Sequence, residues 1–404
     1  MKRLFALFFA FLFLINIGKC QVVIYGFTFN SKDKSVVPYA SVELYDQSKG
    51  TLSNDNGHFE LHIDSLPTVI KVSCLGFESK IIPIPDTSFL SISLVPTVIR
   101  LKEVQVHYTD VISKLVDKAR EKALKTRRNQ LTGRAFYRQF NNNDSVCTEV
   151  LESFYNICTN NNGIRGWELT QARYGIKDVD TGNRVYVYNQ STLTRFLKVY
   201  SDATYGLEIT QPVVNTRNER VIYELLNQYN DPVSGQKISE LGFHSAKNKH
   251  DSTYGKIYID EDSYDILKVV GTYIDKDNRL IEPSGWEREY METIKNTRFD
   301  YEVRFKKIDD FVVLDYLKTK VSLFTIYKKR KINLVSEGFL YVYEIDPTLR
   351  FHDMNPEAHD YESIKKTPYD PVFWFNNPII KRNPLEQKLI SEFEKENIIG
   401  NLLN

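Results

Sequence analysis

Cysteine, histidine, glycine and net charge are all in short supply in this 404-residue chain. Of its four cysteines, Cys20 falls in the N-terminal leader-like segment, which leaves Cys74, Cys147 and Cys158. An odd number cannot form a fully paired disulfide framework. Residues 148–157 read as one strand, which would hold Cys147 and Cys158 too far apart to bond. Lys and Arg total 53 against 52 Asp and Glu, a net charge of +1. That balance gives no overall pull toward nucleic acid. The one basic run, Lys328-Lys329-Arg330-Lys331, sits inside a strand pattern and reads as a hairpin turn. With only 18 Gly, the chain contains no Gly-x-Ser-x-Gly elbow, phosphate-binding loop or dinucleotide fingerprint. Past the first residues no apolar run is long enough to cross a bilayer as a helix.

The first residues are different. Met1-Lys2-Arg3 is basic, residues 4–15 are apolar, and Gly18 and Cys20 are small. A basic start, a short apolar core and a small-residue exit make a secretory signal peptide, cleaved between Cys20 and Gln21. Lys19 occupies the position where a lipoprotein signal wants a small residue, so ordinary cleavage is the reading taken. The expectation is an exported protein, in the periplasm or on the periplasmic face of an outer membrane. Its segments would be a signal peptide (1–20), a β-sandwich (21–106) and a β-rich region with terminal helices (107–404).

Aromatic residues are plentiful, with 25 Tyr and 24 Phe, and they favour sheet. Short alternating or apolar runs at 22–27, 37–45, 59–63, 69–74, 81–84 and 90–94 are separated by turn residues. Such spacing predicts an all-β sandwich, and Gly57 suits a positive-φ turn. Gly26, Pro38-Tyr39-Ala40-Ser41-Val42, Gly50-Thr51, Asp55-Asn56-Gly57-His58-Phe59 and Ser73-Cys74-Leu75-Gly76-Phe77 resemble the carboxypeptidase regulatory-like domain. Leu101-Lys102-Glu103-Val104-Gln105-Val106 is similar to the exit strand before the plug of TonB-dependent receptors, although nothing plug-like follows. The resemblance implies a β-sandwich of seven-stranded type and a bacterial envelope setting, and it does not imply peptidase activity.

Beyond it, residues 109–128 carry an apolar face at helical spacing (Val111, Ile112, Leu115, Val116, Ala119, Ala123) opposite a basic face that reads as solvated. Residues 135–140 and 146–157 predict a hairpin, and 191–200 a short helix. The Asn-, Gly- and Thr-rich stretch from 157 to 255 predicts long connections. Strands at 255–259, 266–270, 298–306, 311–326 and 331–343 predict an antiparallel meander with one buried face. Asn383, Pro384 and Glu386 mark a capped final helix ended by Gly400. The segment Tyr369-Asp370-Pro371-Val372-Phe373-Trp374, with Ala135-Phe136-Tyr137-Arg138 and Gly255-Lys256-Ile257-Tyr258-Ile259-Asp260, is similar to Bacteroidetes envelope proteins that carry the same N-terminal domain. The fold class expected is mainly β: the sandwich followed by a curved antiparallel sheet or half-barrel with flanking helices. Too few strands follow for a closed membrane barrel.

Candidate chemistry is thin. His58 and His62 lie four residues apart on a strand, too far for one metal. His352, Asp353, His359, Asp360 and Glu362 fall in one polar segment, but His359-x-x-Glu362 lacks the third ligand of a catalytic zinc. Asp260, Glu261, Asp262 and Asp265 form an acidic hairpin turn without the spacing of a calcium loop. No catalytic, cofactor or metal residue is assigned. The function expected is a non-catalytic binding or scaffolding role with an outer-membrane protein, a lipid or a glycan as partner. The alternative is an envelope hydrolase acting on peptide or glycan.

Overall fold

The structure is a computed structural model that describes residues 22–45, 49–97, 108–177, 191–201, 211–214, 216, 221–232, 235–246, 251–277, 291–327, 329–350, 363–364, 366–377 and 380–400. The expected signal cleavage point at Cys20 and Gln21, the 101–106 segment, and His352, Asp353, His359, Asp360 and Glu362 lie outside the described residues.

Seven strands form the N-terminal unit: β1 (Val22–Asn30), β2 (Ser41–Leu44), β3 (Gly50–Leu52), β4 (His58–Ile63), β5 (Thr68–Ser73), β6 (Lys80–Ile84) and β7 (Leu90–Leu94). They pair as a three-stranded sheet, β4-β1-β7, and a four-stranded one, β3-β2-β5-β6. Alternate residues such as Ile24, Val42, Phe59, Leu61, Ile70, Val72 and Ile92 fill the space between the sheets. Period-two burial of this kind is what packs two sheets face to face. Gly57 holds φ +75°, and a Cβ there would lie 2.6 Å from the Thr28 carbonyl. Gly50–Leu52, which reads as the approach to a turn, adds to the sheet as β3.

Beyond the sandwich the described residues build one antiparallel sheet of ten strands, more than the sequence pattern suggests, and it does not close into a barrel. Its strands are β8 (Gln130–Asn143), β9 (Val146–Asn160), β10 (Gly163–Ile176), β11 (Val221–Asn230), β12 (Lys237–Ser245), β13 (Asp251–Asp260), β14 (Ile266–Asp275), β15 (Met291–Ile308), β16 (Phe311–Tyr327) and β17 (Arg330–Ile345). The spatial order is β10-β9-β8-β17-β16-β15-β14-β13-β12-β11, so β17 returns to β8 and the open edges belong to two strands adjacent in sequence. Three of these strands, β10, β11 and β12, occupy the stretch expected to be mainly connections. The polar residues that suggested loops lie on strands whose alternation is broken by bulges at Ile164/Gly166, Leu169/Gln171 and Leu225/Asn227, which hides a period of two.

One face of this sheet wraps a core that includes Tyr137, Tyr155, Trp167, Leu241, Ile257, Phe299 and Leu317 and packs on helix α1 (Tyr108–Lys125). Helix α2 (Ser191–Phe196) adds Leu193, and Leu197, Val199 and Tyr200 follow it. Val111, expected on the apolar face, is exposed instead, and the basic face of α1 is not simply solvated. Lys118 Nζ donates to the Tyr264 hydroxyl at 3.0 Å, and Lys122 Nζ reaches the Ser263 carbonyl and Asp265 Oδ1, each at 2.7 Å. The acidic turn 260–265 is therefore a docking point for the helix. Asp260 spends its side chain on the Asp262 and Ser263 amides, at 3.0 and 2.8 Å, and both Asp260 and Asp265 are buried.

The opposite face carries charged rows and is covered by the sandwich and by two C-terminal helices, α3 (Pro371–Asn376) and α4 (Pro384–Lys395). Tyr39 is the main peg: its carbonyl accepts from Arg304 Nη1 at 3.1 Å, and Lys318 Nζ stands 3.8 Å from its ring centroid. Leu52 is fully buried among Phe136, Phe154, Tyr316 and Tyr341 of the sheet. Ser79 Oγ donates to Asp231 Oδ2 at 2.9 Å. Helix α4 stops at Lys395, short of the expected Gly400, with Asn397 taking the left-handed φ of +54° that ends it. The chain then runs along β10, with Ile399 bridging Gly175 and the Gly400 amide donating to the Tyr174 carbonyl at 3.0 Å. A Cβ on residue 175 would lie 2.8 Å from the Ile398 carbonyl, so glycine is what lets the tail approach.

Candidate functional site

Where the sandwich, the outer face of the sheet and the C-terminal helices meet they leave a cleft of about 770 Å³. The sandwich contributes Asn54, His58, Glu60 and Phe89; β8 to β10 contribute Phe136, Arg138, Glu152 and Arg173; the C-terminal segment contributes Trp374, Phe375, Ile380 and Arg382. A second cleft of about 400 Å³ adjoins it and shares Asn54, Arg138 and Ile380. The first is of a size typical of small-molecule sites.

Local sequence explains how these side chains are placed. Asp370 caps α3, its Oδ1 accepting from the Val372 and Phe373 amides at 3.0 and 3.1 Å, with Pro371 at the first turn. That fixes Trp374 against Phe154, ring centroids 5.2 Å apart, and under the Arg173 guanidinium at 4.5 Å. Asn383 and Glu386 close a capping box on α4: the Glu386 amide donates to Asn383 Oδ1 at 2.9 Å and the Asn383 amide to Glu386 Oε2 at 2.8 Å. The box turns Glu386 toward Arg138, 3.4 Å away.

Below the cleft lies one carboxylate with three guanidiniums. Glu152 is fully buried. Its Oε1 accepts from Arg138 Nε at 2.6 Å; its Oε2 accepts from Arg173 Nε at 2.7 Å and Arg382 Nη2 at 3.2 Å, and Arg173 Nη2 makes a further close contact. Burial pushes the Glu152 carboxyl up, but Arg173, Arg382 and Arg138 together overcome it and hold the group far below the usual carboxylate range. Burial weakens the hold of Arg382 on its proton, and Glu152 opposes that effect. Glu152 is thus held ionised by its three guanidiniums and anchors them in place.

The sequence candidates scatter. His58 lies on the cleft wall with its ring 5.0 Å from Phe27, while His62 Nε2 stands 3.4 Å from Glu60. The turn at 260–265 lies beneath α1, remote in sequence and packing from the cleft. Lys329, with φ +67°, sits in the hairpin between β16 and β17, as the basic run predicts. Cys147 and Cys158 lie on the single strand β9, and these two and Cys74 are free thiols. Among the described residues no group of three His, Cys, Asp or Glu is arranged to hold a metal ion, and no helix is long and apolar enough to cross a membrane. Of the residues that build the cleft floor, Arg138 and Trp374 stand in segments that the sequence singles out. Glu152, Arg173 and Arg382 were missed. The available signal was a carboxylate in the otherwise apolar and aromatic run Val150-Leu151-Glu152-Ser153-Phe154-Tyr155, since a charge on a strand buried on both faces needs a partner.

No family model matches the chain, and no curated protein matches it. Two solved structures are similar in part. Lipovitellin, described for its lipid–protein interactions, has a TM-score of 0.27 and 10% identity over 55% of this chain. A LolA-superfamily protein from Nitrosomonas europaea has a TM-score of 0.22 and 9% identity, covering 61% of this chain and 98% of that one. The match spans only 26% of the lipovitellin chain.

Proposed function

We propose that this is an exported cell-envelope protein that binds a ligand without transforming it, and that the cleft between sandwich and sheet is the binding site. The observation that carries the reading is the floor of that cleft. Its one fully buried carboxylate is locked to three guanidiniums, so the charge there serves to fix donors in place rather than to move protons. The sandwich, as a carboxypeptidase regulatory-like domain, acts as a wall of the site. Two of the segments that carry that resemblance touch the rest of the molecule: Tyr39 meets Arg304 and Lys318, and Asp55 Oδ2 accepts from Asn383 Nδ2 at 3.4 Å. The ligand is a lipid or a glycan, and the protein works beside an outer-membrane assembly.

The test is to purify the tagged full chain from its own envelope after mild crosslinking and to analyse everything bound to it by mass spectrometry. A stoichiometric lipid or glycan supports the reading. A stoichiometric barrel protein with no small ligand replaces it with an adapter role, and turnover of a peptide or glycan by the purified chain sinks it.

A further inference from the structure

We infer that the 770 Å³ cleft seats an amphiphile with one anionic oxyacid head, a carboxylate or a phosphate, and an apolar chain. This rests on the binding role proposed above and names its ligand class. The first observation is a shortage of acceptors. Arg382 Nε and Trp374 Nε1 are buried without a hydrogen-bond partner, and both residues line the cleft. A buried donor left unmade costs about 1–3 kcal/mol, so the site calls for acceptor atoms. The unmet groups on this wall are donors alone, which suits an oxyanion better than sugar hydroxyls that must both give and accept.

Charge points the same way. Arg138, Arg173, Lys381 and Arg382 line the cleft, and Glu152 is shared by three of them. Arg138 and Arg173 also stand 3.4 and 3.6 Å from Glu386 and Glu394, whereas among the described residues Arg382 has Glu152 alone. Arg138 and Arg173 are each more than nine-tenths buried, where a charge-assisted contact is stronger than at the surface. The apolar half of the ligand is indicated by the walls and the mouth. Phe136, Trp374 and Ile380 line the interior, while Phe89 and Phe375, at the same cleft, are 60% and 85% exposed. Two large rings left in water beside a cationic floor are covered at a gain of about 25 cal/mol per Å² when an alkyl chain lies on them. The head therefore meets the partly exposed Arg382 guanidinium, and the chain leaves past Phe89 and Phe375.

Isothermal titration of the full chain tests this with four probes, three of them amphiphiles of equal chain length kept below their micelle concentrations: dodecyl phosphate, laurate, 1-monolauroylglycerol and inorganic phosphate. Dodecyl phosphate and laurate are expected to bind at least about tenfold tighter than the neutral lipid or the bare anion, the worth of one charge-assisted contact. The tighter of the two acids identifies the head as phosphate or carboxylate. Arg382→Gln should weaken both acids about tenfold and leave the neutral lipid unchanged. Phe375→Ser, at an exposed position, should weaken all three amphiphiles alike. Circular dichroism melts establish that each variant is folded. Equal binding of monolauroylglycerol and laurate overturns the anionic head, and inorganic phosphate as tight as dodecyl phosphate overturns the chain. If none of the four binds while a glycan co-purifies from the envelope, this inference fails and the binding role stands.

Discussion

On β16, Leu317, Thr319 and Val321 turn toward α1, while Tyr316, Lys318 and Lys320 turn toward the sandwich. The same alternation runs through β8, where Tyr137 and Gln139 face inward and Phe136 and Arg138 face the cleft. The inner face is a continuous hydrophobic core with polar residues set into it. The outer face is a surface of cross-strand ion pairs, such as Lys268–Glu302 at 2.7 Å and Lys256–Glu240 at 2.8 Å. Parts of it have been buried secondarily by other elements. A face buried by wrapping needs volume, and a face buried by docking needs partners for the charges it traps. That contrast is why the charges around the buried Glu152, trapped on the outer face by α3 and α4, are met by three guanidiniums.

The comparison breaks most severely at Glu152. Glu152→Gln leaves three guanidiniums without their shared counter-charge and should destabilise the fold by about 3–5 kcal/mol in a denaturant melt. The carboxyl is held far below its unfolded value of about 4.3, so its contribution is complete above that pH and is lost as the pH falls below it toward the folded value. The acid limb of stability against pH should therefore be shallower in Glu152→Gln than in the parent. A variant with an unchanged acid limb would show that the cluster does not couple to folding. On the inner face Leu317→Ala, at a fully buried site, should cost about 3 kcal/mol from lost transfer energy and the cavity left behind. This cost should not depend on pH, which separates packing from charge. Asn383→Ala removes one half of the capping box and should cost about 1 kcal/mol. It should also loosen Glu386 from Arg138, readable as a small loss of binding in the cleft. The smallest effect belongs to Lys320→Ala. Its 2.6 Å pair with Glu337 is about half exposed at both ends, so no more than about 0.5 kcal/mol should be lost. A larger value would mean that the second cleft is drier than its exposure implies.

Much of the architecture is legible in the sequence because period-two patterns are local. The sandwich strands, the 135–157 hairpin, the meander from 255 to 343 and the capped α4 all follow from neighbours a few residues apart. Long-range docking is not local. Strands β8 and β9 are covered on both faces, so their alternation is blurred into runs such as Phe136 to Phe140, buried at every position. The bulges in β10 and β11 shift the phase midway and make strands resemble polar connections. The cleft floor joins Arg138 and Glu152 to Arg382, well over two hundred residues away, and no window along the chain brings them together. The Tyr369 to Trp374 motif is conspicuous in sequence, but its purpose appears only when Trp374 lies between Arg173 and Phe154.

The tail along β10 has a consequence for how the molecule meets copies of itself. An open ten-stranded sheet ends in strands whose outward amides and carbonyls can template pairing with another chain. With Ile399 bridged to Gly175 and the Gly400 amide on the Tyr174 carbonyl, the protein occupies part of that edge with its own backbone. The final residues thus act as a self-blocking strand fragment, and removing them would turn a guarded margin into an adhesive one.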